Sequence, residues 1–179
     1  MPRPHLLVAA AIAPLLATAA EAQPLLGRGT QVLSVHVSPD FEGAVGDMLL
    51  ADASYGWFVR DRLALEATLD YAVLEDVAGE DSDYRTSAVG VAAELHLPLG
   101  GALVPYAGFG IGWRRSHFND LEESGFVYGP RVGLEYFLAD NVALDFEVAY
   151  SMASADVFIN DFVAEDSDIS SALGLRVHF

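Results

Sequence analysis

From Leu63 to Val73 the chain reads LALEATLDYAV, and its apolar residues recur at every second position. Leu63, Leu65, Ala67, Leu69, Tyr71 and Val73 fall on one parity, and Ala64, Glu66, Thr68, Asp70 and Ala72 on the other. A period of two, rather than 3.6, predicts a strand with two unlike faces. The design returns at Val142, Leu144, Phe146, Val148 and Tyr150, set against Ala143, Asp145, Glu147 and Ala149. Both stretches belong to an internal echo. GWFVRDRLALEATLDY (Gly56 to Tyr71) aligns without gaps on EYFLADNVALDFEVAY (Glu135 to Tyr150), and each copy reads as strand, tight polar turn, strand.

Read this way, the chain yields eight strands, near 30–38, 47–59, 62–74, 86–97, 103–115, 124–137, 142–152 and 169–179. The connections alternate in length. Short ones fall at Arg60-Asp61, at Pro98 to Gly101 and at Leu138 to Asn141, and long ones near 39–46, 75–85, 116–123 and 153–168. Short turns on one rim and long loops on the other predict an up-and-down antiparallel array.

The apolar parity of every strand is free of charge: Leu33, Val35 and Val37 in the first, Leu173, Leu175, Val177 and Phe179 in the last. The other parity holds Asp52, Arg62, Glu66, Asp70, Glu94, Arg131, Glu135, Asp145, Glu147 and Arg176, with His36, His96 and His178. A soluble barrel would turn the apolar parity inward, and a membrane barrel would turn it out. Three features favour the second. Tyr55, Trp57, Tyr71, Tyr106, Trp113, Tyr128, Tyr136 and Tyr150 gather toward strand ends, where aromatic girdles meet the two interfaces. Gly108, Gly110 and Gly112 lie on the polar parity and leave room for long charged side chains opposite. The strands also have the ~9–11 residues that a tilted crossing of the hydrocarbon requires. The expected fold is therefore all-β: an eight-stranded antiparallel up-and-down transmembrane β-barrel, closed because an open edge in lipid strands its amides at several kcal/mol each.

Composition sharpens this. The 179 residues include 26 Asp and Glu against nine basic residues, all arginine, for a net charge of -17. Such a surface repels phosphate backbones, so no nucleic-acid partner is expected. Without cysteine there are no disulfides, thiolate metal sites or acylated lipoprotein anchors. Leu6 to Ala20 form a short apolar run after Arg3, interrupted by Pro14, and Ala20-Glu21-Ala22 gives a small-x-small cleavage pattern. Residues 1–22 are thus read as a signal peptide and 23–179 as a single barrel domain, exported to the outer membrane.

LVPYAGFGIGW (Leu103 to Trp113), the Glu135 to Tyr150 hairpin and the terminal LRVHF together resemble the small outer-membrane β-barrels of Gram-negative bacteria, the OmpA/OmpX-type and opacity-like proteins. That resemblance implies partnership with outer-membrane lipid and lipopolysaccharide. It also implies that Leu175, Val177 and Phe179 form a C-terminal signal read by the barrel-assembly machinery. One departure from the family is expected to matter: no peptidoglycan-binding domain is expected after the barrel, so a cell-wall tethering role is not expected.

The candidate chemistry lies in the lumen, where Glu66, Asp70, Glu94, Arg131, Glu135, Asp145, Glu147 and Arg176 are expected to form one charge network, with Arg131 and Arg176 as hubs. No catalytic residue, metal site or cofactor is expected. Ser116 and His117 are adjacent on an extended chain and point to opposite sides, so they make no dyad. Acidic stretches at 74–84, 119–124 and 160–168 lack the calcium-loop pattern. The expected role is structural or surface-interactive, with short periplasmic turns, acidic extracellular loops and an unidentified extracellular ligand. The alternatives are a small cation-preferring, porin-like channel and an exported soluble barrel that binds an apolar ligand.

Overall fold

The computed structural model describes residues 23–39, 47–75, 84–118, 121–160 and 163–179. Eight strands close a barrel: β1 (Gln31–Pro39), β2 (Asp47–Arg60), β3 (Leu63–Glu75), β4 (Tyr84–His96), β5 (Leu103–Phe118), β6 (Leu121–Ala139), β7 (Val142–Ala153) and β10 (Ser167–His178). Sequence neighbours pair antiparallel, and β10 returns to β1, with Leu33 opposite Val177 and Val35 opposite Leu175. Gln31 and Phe179 close the ring by donating to each other's carbonyls at 2.7 and 2.9 Å. Between β7 and β10 a small hairpin, β8 (Phe158–Asn160) with β9 (Val163–Glu165), forms a separate sheet. The expected signal peptide lies outside the described residues, as does most of the acidic stretch at 74–84.

Side-chain direction follows parity. Leu69, Val91, Ile111, Val132 and Leu173 lie on the outer wall, each more than half exposed. Glu66, Glu94, Glu135, Asp145 and Arg176 are buried in the lumen at 2% exposure or less. Water would reverse this arrangement, whereas hydrocarbon requires it. Packing inside works by alternation of bulk across the ladder. Gly133 faces Tyr106, Gly174 faces His36 and Gly56 faces Glu66. A Cβ on Gly133 would come within 2.2 Å of the Tyr106 ring, and one on Gly174 within 2.3 Å of the His36 ring.

At the turn end the lumen is plugged by Phe58, Phe137, Ala64, Ala102, Val104 and Ala143, with Leu26 from the segment before β1. That segment crosses the floor. Leu25 N–H donates to Asp140 O and Leu26 O accepts from Arg62 N–H, while Gln23 N–H reaches Asp140 Oδ1 at 2.7 Å.

Three expectations need correction. Residues 116–123 are not a long loop. β5 and β6 stay paired up to Phe118 opposite Leu121, and because both faces have become polar there, hydrophobic alternation no longer reports the strand. Arg62 is not in the lumen: it occupies the β2–β3 turn with a positive φ of 68° and is exposed. Tyr106 belongs to no girdle. It shares the parity of Gly108 and points inward at 2% exposure.

Candidate functional site

Above the floor, His96 and His178 lie against Phe58 at ring separations of 5.1 and 6.0 Å, and His178 also against Phe137 at 5.1 Å. On this layer sits Arg176, carried inward from β10 between Ser34 and Ala143. Its Nη1 donates to Glu94 Oε2 at 2.7 Å, Glu135 Oε1 at 3.3 Å and Glu66 Oε1 at 3.4 Å. Its Nε donates to Asp145 Oδ2 at 3.1 Å, and its Nη2 to Glu94 Oε1 and the Tyr106 hydroxyl at 3.3 Å. One guanidinium thus binds four carboxylates contributed by β3, β4, β6 and β7. A planar fork of five donors can do this, whereas a single ammonium on a flexible stem cannot cover the same directions.

The network extends upward. Tyr106 stacks its ring under Arg176, 4.6 Å from the guanidinium carbon, and donates to Asp145 at 3.0 Å and Glu147 at 3.1 Å. His36 bridges Asp52 at 2.7 Å and Asp145 at 2.6 Å. Arg131 lies 3.4 Å from Glu147 and 3.7 Å from Glu94. Of the eight residues expected in the network, Glu66, Glu94, Glu135 and Asp145 surround Arg176. Arg131 and Glu147 join at the upper edge. Asp70 stands higher, on the wall of a chamber it shares with Arg114, Arg131, Asp52 and Glu147.

That chamber holds about 140 Å³, and no floor residue lines it. Toward the loop end, the segment entering β8 packs on residues 114 and 116 of β5. Ser116 Oγ donates to Val157 O at 2.6 Å, Arg114 lies 4.9 Å over the Phe158 ring, and Val157 and Phe158 are buried. Sequence reading missed three parts of this site: Tyr106, Arg114 and the Val157-Phe158 segment. The two ring-and-cation residues could have been found from their shared parity with Gly108 and Gly112. The segment was signalled only by a short apolar step inside an acidic loop. Ser116 is buried against Val157 and His117 exposed on the outer wall, so the two form no dyad. No group of three or more His, Cys, Asp or Glu among the described residues is arranged to hold a metal ion.

A closed antiparallel cylinder with an apolar outer wall and an ionic interior is a transmembrane β-barrel, the class found in outer membranes. The chain matches the family described as "Outer membrane protein beta-barrel domain" over residues 5–179 and belongs to that family, so it resides in the outer membrane. The exported soluble barrel is thereby set aside. Among solved structures the chain is similar to Neisserial surface protein A, at 15% identity and a TM-score of 0.59, covering 84% of this chain and 96% of that one. It is also similar to the N-terminal β-barrel domain of Pseudomonas aeruginosa OprF, at 17% identity and a TM-score of 0.56, covering 86% and 99%. The outer membrane protein OprG of the same organism gives 14% identity and a TM-score of 0.55, covering 89% and 99%. At these identities the likeness is one of fold. No curated protein sequence matches the chain.

Proposed function

We propose that the protein is a non-catalytic, non-conducting barrel whose role is structural and surface-interactive, with its turns in the periplasm and its loops outside the cell. The observation that carries this reading is the blocked lumen: an apolar floor and, above it, a layer of charges tied to Arg176. An ion crossing it would have to displace buried aromatic rings and break a multiply bonded guanidinium. What is left for function is the loop end, where β5 and β6 run 16 and 19 residues and carry their hairpin beyond the end of β7. Purified protein in planar lipid bilayers should give no unitary conductance steps. Stable, cation-selective steps would reinstate the channel reading.

Leu175, Val177 and Phe179 are proposed to serve the barrel-assembly machinery. Support comes from their shared outward parity on the strand that closes the ring, with Phe179 55% exposed. Phe179→Ser should lower the amount inserted in the outer membrane of cells several-fold, while the purified chain still refolds in detergent because the Gln31–Phe179 backbone pair is kept. Wild-type insertion levels in cells would remove this role.

A further inference from the structure

Between its two rims the outer wall of the described barrel strands is uncharged, until β4 to β6 leave the apolar belt at the loop end. There Val89, Trp113 and Phe126 form the last apolar row on β4 to β6, with Trp113 edge-on to Phe126 at 4.9 Å, while Tyr71 and Val73 of β3 carry apolar side chains up beside Ser87 and Arg85. The next row is Ser87, Arg115 and Ser124, and the one above it Arg85, His117 and Glu122. Arg85, Arg115 and His117 are all exposed, and cross-strand neighbours on one face stand only about 5 Å apart at Cβ. A chain with nine basic residues in all and a net charge of -17 has therefore placed two arginines and a histidine side by side on its lipid-facing wall.

Their height matters. Arg85 lies about eleven residues above His96, the turn end of β4. A rise of about 3.3 Å per residue and a tilt of about 40° put it roughly 28 Å up, just beyond an apolar band about 25 Å tall. Trp113 and Phe126 directly beneath mark the same interface, as aromatic girdles do. At that level the surrounding groups are the phosphates of the outer leaflet's glycolipid.

We propose that Arg85, Arg115 and His117 form a binding patch for the phosphate groups of an outer-leaflet phosphoglycolipid, with Trp113 and Phe126 seating its acyl chains. Guanidinium forks match phosphate oxygens bidentately, and the patch sits where those oxygens lie. Arg115 is held by Glu122 at 2.6 Å, but both side chains are more than half exposed (62% and 52%). Such pairs are weak, so a phosphate can displace the carboxylate. Glu122 acts as a competitor that the lipid must turn out. The inference deepens the surface-interactive reading by naming a partner for the barrel wall, and it rests on the outward placement of the loop end.

The chain has two tryptophans, and Trp57 lies toward the turn end, so a Trp57→Phe background leaves Trp113 as the reporter beside the patch. Titrating bisphosphorylated lipid A into the folded protein in neutral detergent should give saturable Trp113 quenching that weakens with added salt. Arg85→Ala with Arg115→Ala should weaken it at least tenfold, and Glu122→Gln should tighten it about threefold. Arg28→Ala with Arg60→Ala, at the opposite rim, should leave it unchanged. Fully dephosphorylated lipid A should bind no better to the native patch than to the doubly substituted one. Equal affinity for phosphorylated and dephosphorylated lipid, or no response to both the double substitution and Glu122→Gln, overturns the patch. Either result leaves the loop tips as interaction sites. Conducting steps in the bilayer assay would instead sink the role proposed above and leave the patch standing. The heat-dependent gel shift of each variant verifies that it is folded before titration.

Discussion

Arg176→Met should be the most damaging single substitution in the lumen, lowering unfolding stability in lipid vesicles by about 3–5 kcal/mol, the usual cost of leaving buried charges without their partner. Methionine keeps much of the volume, so the loss is electrostatic. Glu66, Glu94, Glu135 and Asp145 would remain in a closed space after the guanidinium that bonds all four had gone. The same reasoning predicts rescue. Adding Glu94→Gln and Glu135→Gln to Arg176→Met removes two of the uncompensated charges and should recover a substantial part of the loss. Arg176→Lys should fall between wild type and Met, because one ammonium reaches fewer of these oxygens. Denaturant midpoints for the four proteins, compared at equal slope, decide the matter. A wild-type midpoint for Arg176→Met would mean that the network carries no stability.

Much of this arrangement was legible in the chain because alternation assigns every strand residue to a face. Glu66, Glu94, Glu135, Asp145 and Arg176 could be placed on one interior surface without coordinates, since a shift of one residue would turn each charged set into lipid. What alternation does not reveal is height along the barrel. Arg131 and Arg176 read as equal hubs, yet strand stagger sets Arg176 among four carboxylates and leaves Arg131 at the upper edge with Glu94 and Glu147. Asp70, equally inward, ends on the chamber wall.

Other differences have local causes. Parity alone counts Arg62 inward, but the β2–β3 register shifts between Phe58 and Arg60, and the two-residue turn that follows takes Arg62 out of the ladder. Residue type alone groups Tyr106 with the girdle, whereas its parity with Gly108 and Gly110 places it in the lumen. The packing of Val157 and Phe158 depends on contacts between segments far apart in sequence, Ser116 with Val157 and Arg114 with Phe158, and no periodicity reports these. The outward patch of Arg85, Arg115 and His117 is hidden from the sequence for a related reason. It is formed by neighbours across strands, and no two of its arginines share one.

The account depends most on which solvent the apolar parity meets, and that claim has a large energetic consequence. Val132 lies on the outer wall near mid-strand of β6, 56% exposed, and Leu97 lies just past the turn end of β4, 47% exposed. On a water-facing surface both should accept arginine within about 0.5 kcal/mol. In hydrocarbon the cost depends on depth: about 2–4 kcal/mol at the midplane, falling to about 0–1 near the interface. The decisive measurement is equilibrium unfolding of Val132→Arg and Leu97→Arg in lipid vesicles. A penalty of about 2–4 kcal/mol at Val132, with little at Leu97, is the predicted result. Two near-neutral substitutions would contradict the placement of this wall in the membrane.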